Sequence, residues 1–270
     1  VNAEELLRRA ALLVDSVPGK RPLIYHITND VTIHLSANAT LALGGAPVMS
    51  SSPRESADIT SLSDALVINI GTPGRNSVKA MTRACRRASA EGIPAVLDPV
   101  GAGFTAYRNR IVRSLIPTGA FSIIKGNASE MAWLAGLGEG ARGVDARPEK
   151  HPPQDIASRC AIRYRTVCVV TGPADFISDG ESLFREEGGS PLAGSMTGSG
   201  CLAATLCGLY LACAPSPLEA AAAALLTLRR GAVWGEKSAE GTASFQAGLL
   251  DAFTRIKGEE ILSEGILHEA

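Results

Sequence analysis

Several polar, glycine-rich stretches of this chain combine residue types that handle phosphate and cations. In "GSMTGSGC" (194–201) a Gly-rich turn runs into an apolar helical segment with Cys201 at the joint. A helix N-terminus gathers unpaired N–H donors and the positive end of the helix dipole, so Gly198 and Gly200 beside Cys201 outline an anion site. The same position lowers a thiol's pKa, and Cys201 is expected to be partly thiolate. The stretch lacks the G-x-x-x-x-G-K-[ST] pattern of a P-loop, and a tight junction holding a buried Cys explains it equally well. "DPVGAGFT" (98–105) offers Asp98 to a hard cation or, more plainly, to a turn or helix cap. "KGNASE" (125–130) sets Lys125 against phosphate and Glu130 toward a metal. Its Asn127-x-x-Glu130 spacing is also that of a capping box. "VVTG" (169–172) ends an apolar run in the hydroxyl of Thr171, and "ALGGAPVMS" (42–50) reads as a helix stop and a short strand closing on Met49.

The elements that must position these residues are legible as apolar runs. Leu23–Thr28, Leu66–Ile70, Ala95–Asp98, Phe121–Lys125 and Val167–Thr171 are nearly continuous, as in parallel strands buried on both faces. Helical patterns lie between them. "NAEELLRRAALLVDSV" opens on Asn2 as N-cap, with Glu5 three residues on and apolar positions 6, 10, 13, 14 and 17 along one face. Such alternation argues for βαβ units and an α/β fold with a mostly parallel central sheet flanked by helices on both faces. The last third is helical: "SPLEAAAAALLTLRRGAVWG" begins with Ser216 as cap, Pro217 at the first position and Glu219 completing a capping box. "SFQAGLLDAFTRI" repeats apolar residues at 245, 249, 253 and 256. Residues 138–153 are polar and Gly/Pro-rich, a surface loop and not a domain boundary, so residues 1–270 are expected to form one domain. Ligands of such sheets bind beyond the carboxyl ends of the strands. Here those ends run into "HITNDVT", "NIGTPGRNS", "DPVGAGFT", "KGNASE" and "TGPADF", which points to one shared site.

Composition narrows the chemistry. The chain has 270 residues, formal net charge −1 and no tract of five basic residues, so nucleic acid and anionic membranes find no electrostatic footprint. The longest apolar stretch, Cys201 to Ala214, falls short of the roughly 17 residues that span a bilayer. With Glu4, Glu5, Arg8 and Arg9 near the start, no signal peptide is read and a cytoplasmic location is expected. Cysteines 85, 160, 168, 201, 207 and 213 form no C-x-x-C pair, which argues against structural zinc and against a disulfide framework. Those at 168, 207 and 213 lie in apolar runs and are expected to pack as small hydrophobes. Cys201, Thr205, Gly208 and Ala212 share a face of small residues, suggesting close helix packing.

Taken in order, "HITNDVT", "LALGGAPVMS", "VINIGT", "VLDPVGAG", "IIKGNASE", "VVTG" and "TGSGC" resemble the hydroxyethylthiazole kinase family of thiamine salvage, from about residue 20 to "GTASFQAGLLDAF" near 253. The resemblance implies a ribokinase-like fold and ATP- and Mg²⁺-dependent phosphorylation of the hydroxyethyl group of 4-methyl-5-(2-hydroxyethyl)thiazole. It implies an anion hole at "TGSGC", with Gly198, Gly200 and Cys201 as catalytic positions, Cys201 standing where most of the superfamily carries Asp. It assigns Lys125, Asn127 and Thr171 to ATP, Met49, Asn29 and Gly198 to the thiazole alcohol, and Glu130 with Asp98 to Mg²⁺. It further implies a homotrimer with sites between subunits.

The chain departs from that pattern at a few places. Lys125 stands where many members have Arg, exchanging a bidentate fork for a point charge. Tyr25-His26 replaces a more usual His-Asn pair, Asp30 replaces an aromatic residue, and Ser199 replaces Ala. Within the kinase class the pyrimidine alcohol precursor of thiamine is the alternative acceptor. A cysteine hydrolase using Cys201 would need a His partner, for which His26 alone ends a predicted strand. A non-catalytic ATP-binding module would bind nucleotide without making product.

Overall fold

A computed structural model describes residues 1–137 and 150–270, so most of the expected loop at 138–153 lies outside the described residues. Among the described residues nine strands form one sheet. In chain order they are β1 (Leu23–Ile27), β2 (Ala46–Met49), β3 (Ala65–Asn69), β4 (Ala95–Asp98), β5 (Phe121–Asn127), β6 (Val167–Thr171), β7 (Asp175–Ser178), β8 (Leu183–Glu187) and β9 (Ile266–Glu269). Their spatial order is β2-β1-β3-β4-β5-β6-β7-β8-β9, parallel from β2 to β6 and antiparallel beyond.

The period-2 alternation of a strand sends successive side chains to opposite faces. Ile24, Val67, Val96, Ile123 and Val169 pack under one helical layer: α1 (Ala3–Lys20), α2 (Ile33–Ala42), α8 (Ser199–Leu211), α9 (Pro217–Lys237), α10 (Thr242–Phe253) and α11 (Gly258–Glu264). Tyr25, Ile27, Leu66, Ile68, Leu97, Ile124 and Val170 pack under the other, built from α4 (Arg75–Glu91), α5 (Ala106–Leu115), α6 (Ala128–Ala135) and α7 (Pro153–Tyr164). A short helix, α3 (Ser56–Leu62), lies between β2 and β3. The expected helices on both faces are present.

Local signals act largely as expected. Asn2 Oδ1 accepts from the Glu5 N–H at 2.8 Å, and Phe245, Leu249, Phe253 and Ile256 are all buried. Cys168, Cys207 and Cys213 are buried as small hydrophobes. Three expectations need correction. Ser216 does accept from the Glu219 N–H, but Glu219 does not turn back to complete a box: its carboxylate accepts from Arg9 Nη1 at 3.0 Å. The small face of α8 serves helix-on-sheet packing, because a Cβ at Gly208 would lie 2.2 Å from Val67 Cγ2. The helical last third ends in an edge strand, β9, paired with β8. Strands β7 and β8 escape an apolar-run reading because Asp175, Arg185, Glu186 and Glu187 interrupt them, and β9 because His268 and Glu269 do; the buried carboxylates of Asp175 and Glu186 are answered by Arg229 of α9.

Candidate active site

The carboxyl ends of β2, β1, β3, β4, β5 and β6 present Met49, Asn29, Asn69, Asp98, Lys125 with Asn127, and Thr171 in that spatial order. Alternation explains why three of them meet. Val67, Val96 and Ile123 face α8, so Asn69, Asp98 and Lys125, each two residues further on, face the same side. Helix α8 is buried along its whole length from Leu202 to Leu211, which fixes its N-terminus over these strand ends. Gly198 caps it at φ +99°, a conformation L side chains rarely adopt, and a Cβ there would come within 2.7 Å of Thr32 Cγ2. Gly198 and Gly200 are half-buried, so the turn stays open on one side.

Cys201 sits at the centre. Asn29 Nδ2 donates to its sulfur at 3.3 Å and Asn69 Nδ2 at 3.2 Å. The buried Thr32 hydroxyl lies beside it, without a conventional hydrogen-bond partner. Burial, reinforced by the charge of Asp98, pushes the Cys201 thiol above its ordinary value despite Lys125, Thr32 and Asn29. The expected partial thiolate is therefore corrected: burial and the Asp98 charge hold the sulfur as a thiol. Asn29 and Asn69 fill the donor shell that a histidine would occupy in a hydrolase. His26 is instead buried, its Nε2 3.3 Å from Thr40 Oγ1.

The charged part of the site is compact. Lys125 Nζ is 3.8 Å from Asp98 Oδ1, and a Cβ at Gly200 would lie 3.2 Å from the same nitrogen, so the ammonium lies directly under the Gly-rich turn. Burial works against the Lys125 charge, but Asp98, Glu130 and Cys201 outweigh it and its pKa is raised. Asp98 is also pushed upward by burial, against Lys125 and Asn69. Glu130 completes the capping box of α6. Its Oε2 accepts from the Asn127 N–H at 2.9 Å, and Asn127 Oδ1 accepts from the Glu130 N–H at 3.0 Å. The other oxygen accepts from the Gly101 N–H at 2.7 Å, tying β5–α6 to the turn after Asp98. Burial and then Asp98 raise the Glu130 pKa to about 7. Thr171 pairs in register with Asn127 and donates to the Gly126 carbonyl at 3.2 Å. Met49, half-buried, pairs in register with His26 at the other end of the row.

Formally, two buried carboxylates surround one ammonium, leaving the cluster one positive charge short. Asp98 Oδ1 is buried without a hydrogen-bond donor, and no group of three or more His, Cys, Asp or Glu is found among the described residues. That donor set fits Mg²⁺, which binds through one or two carboxylates plus phosphate and water and needs no protein cage.

Two contributors escape a sequence reading. Asn69 lies in the quoted "NIGTPGRNS", but an amide among glycines carries no distinctive spacing. Arg108 of α5 donates to the carbonyls of Ile70, Gly71 and Val100 at 2.7, 2.6 and 2.6 Å, binding the loops after β3 and β4 together.

A family model for the hydroxyethylthiazole kinase family matches residues 14–259. The hydroxyethylthiazole kinase of Methanoculleus marisnigri is 38% identical over 257 residues, 95% of this chain and 92% of that one. That of Desulforudis audaxviator is 40% identical over 261 residues, 97% and 96% of the two chains. Among solved structures, the hydroxyethylthiazole kinase protein of Pyrococcus horikoshii OT3 superposes with a TM-score of 0.87 at 33% identity, over 97% of this chain and 98% of that one. The pyridoxal kinase of Staphylococcus aureus in complex with ADP shares the ribokinase-like fold, with a TM-score of 0.65 at 14% identity over 92% and 98% of the chains. This chain, with that fold and that row of strand-end residues, belongs to the hydroxyethylthiazole kinase family.

Proposed function

We propose that this protein, acting as one domain over residues 1–270, transfers the γ-phosphate of ATP to the hydroxyethyl group of 4-methyl-5-(2-hydroxyethyl)thiazole, giving 4-methyl-5-(2-phosphoethyl)thiazole in thiamine salvage. The supporting observation is the ordered row of strand ends beneath the α8 N-terminus. Met49 and Asn29 lie at one end for the alcohol, Asn127 and Thr171 at the other for the nucleotide, and Asp98, Lys125 and Cys201 lie between.

Phosphoryl transfer asks mainly for positioning and charge stabilisation. Lys125 faces the phosphate under the Gly-rich turn, and the N–H groups around Gly198, Gly200 and Cys201 receive developing negative charge. Asp98, through its Oδ1, which accepts no hydrogen bond, and Glu130 would hold Mg²⁺, which when bound neutralises phosphate oxygens. Cys201 orients the alcohol as a thiol and forms no covalent bond to phosphorus. Exposed Val31 and Ile33, following Asn29 and Asp30, support the reading that subunits of a homotrimer meet at the site.

The test is an ATP-dependent product screen across the thiazole alcohol, the pyrimidine alcohol and simple sugars, with column sizing of the assembly alongside. Phosphorylation of the thiazole alcohol above the others is expected. Product from the pyrimidine alcohol or a sugar alone overturns the acceptor, and nucleotide binding without any product overturns the kinase.

A further inference from the structure

Asn69 ends β3, between the strand that leads to Asn29 and the strand that ends in Asp98, and it is 1% exposed. Its amide is saturated. Oδ1 accepts from Asn29 Nδ2 at 2.9 Å and from the Gly71 N–H at 2.9 Å; Nδ2 donates to Asp98 Oδ2 at 2.7 Å and to Cys201 Sγ at 3.2 Å. The orientation is dictated by chemistry: a backbone N–H can only donate, so the oxygen faces Gly71, and the nitrogen is left for the carboxylate and the sulfur. A flip would set a carbonyl oxygen against a carboxylate and an N–H against an N–H.

We infer that Asn69 is a positioning residue for the phosphoryl transfer, one amide that holds the Asp98 carboxylate and the Cys201 sulfur in fixed relation. By engaging Asp98 Oδ2 it leaves Oδ1, which lacks a donor, turned toward Lys125. With Asn29 it brings two N–H donors to the sulfur, occupying its acceptor capacity and leaving the thiol proton for the substrate oxygen. The acceptor side and the nucleotide side of the row are thereby joined through a neutral group that adds no charge to the site. This assignment rests on the kinase reading for its consequences in turnover, but the Asn69–Cys201 contact can be read in the resting protein.

The experiment uses the full chain with Asn69→Ala and the similarly sized Asn69→Leu, which keeps bulk while removing both donors and adds no charge. Two readouts are taken. In turnover, kcat should fall about 10–100-fold, the range for losing a partner that orients a ligand, with the KM for ATP within about twofold of the parent. Adding Asn69→Ala to Cys201→Ala should cost less than adding it to the parent, because the two residues act through one contact. In the resting protein, the pH profile of Cys201 carboxymethylation by iodoacetamide, followed on its own peptide by mass spectrometry, should shift its midpoint upward in both variants. The groups facing that sulfur are Asp98 of β4, Lys125 of β5, and Asn29 and Thr32 before α2, all retained in the variants. An unchanged midpoint in Asn69→Leu overturns the contact whether or not any alcohol is phosphorylated. A shifted midpoint with unchanged kcat overturns the role in transfer. A parent that phosphorylates nothing overturns the kinase reading alone and leaves the alkylation result standing.

Discussion

The two ends of the strand row are held by opposite kinds of force. On the β1–β3–β4 side the fixing groups are neutral: Asn29, Asn69 and the Cys201 thiol, bonded in sequence. On the β6–β7–β8 side they are charged. Arg229 of α9 reaches Asp175 Oδ2 at 2.9 Å and Glu186 Oε2 at 2.5 Å, and donates to the carbonyls of Gly172, Pro173 and Gly188. Asp175 Oδ1 in turn accepts from the Gly172 N–H at 2.9 Å, closing a clamp on the turn that follows Thr171. Amides give direction without adding charge, so the fields of Asp98, Glu130 and Lys125 are left unaltered by their neighbours. A guanidinium fork instead ties several loop carbonyls at once and holds the turn after Thr171 still.

The comparison is broken most forcefully at Arg229. Arg229→Met leaves Asp175 and Glu186 buried without their cation, and the stability measured by urea unfolding should drop by about 3–5 kcal/mol. Replacing the whole cluster, with Asp175→Asn and Glu186→Gln added, should recover most of that loss, since no unpaired charge then remains. Recovery failing would mean that the clamp's value lies in its carbonyl contacts and not in its charge.

The β4 side responds in activity more than in stability. Asp98→Asn should lower kcat on the order of 10²–10³-fold, the scale of losing one aligned electrostatic group. Its melting temperature should fall modestly, because the buried Lys125 ammonium loses the carboxylate 3.8 Å away, while relief of Asp98's own burial offsets part of that loss. An unchanged melting temperature would mean that Lys125 does not depend on Asp98 for its charge.

Acid separates the halves further. Burial holds His26 neutral, with its pKa down to about 3, well below the ordinary 6.5. A basic group depressed in the folded state keeps its full contribution above pH 6.5 and loses it as pH falls toward 3, because only the unfolded chain takes up the proton. That slope approaches about 1.4 kcal/mol per pH unit. His26→Gln should therefore flatten the loss of stability between pH 6.5 and 4.5, seen as a smaller difference in urea midpoints. Asp175 and Glu186 have the opposite sign: burial raises both, so their contribution is complete below the unfolded carboxylate range and falls as pH rises through the folded values. Parallel slopes in parent and His26→Gln would break this contrast.

The smallest effect is expected at the sulfur itself. Cys201→Ala should reduce kcat on the order of tenfold, about 1.4 kcal/mol of transition-state stabilisation, without loss of ATP binding in calorimetry. Cys201→Asp should retain activity. A phosphocysteine trapped at position 201 would overturn its role as an orienting thiol.

Much of the fold was legible because it depends on near neighbours. Ala95–Asp98 and Val167–Thr171 were read with their observed bounds, since continuous β-branched and aliphatic runs bounded by polar residues have few other uses. Within the candidate site, the Asn127–Glu130 box was legible for the same reason: its partners lie three residues apart. Strands β7 and β8 were not, because Asp175 and Glu186 are tolerable inside a sheet only when a helix more than forty residues later supplies Arg229.

The sequence by itself determined where five of the parallel strands lie to within a residue or two, which helices are amphipathic and which polar residues stand at the mouths of the βα turns, since those follow from spacing within a few residues. Only the tertiary structure decided that Asn29, Asn69 and Asp98 meet Cys201, partners separated from that sulfur by as many as 172 positions along the chain. It also decided that the sulfur is a thiol. A helix N-terminus by itself favours the thiolate, but how far the sulfur is withdrawn from water and how near Asp98 lies are set by the strands beneath α8, and both raise its pKa.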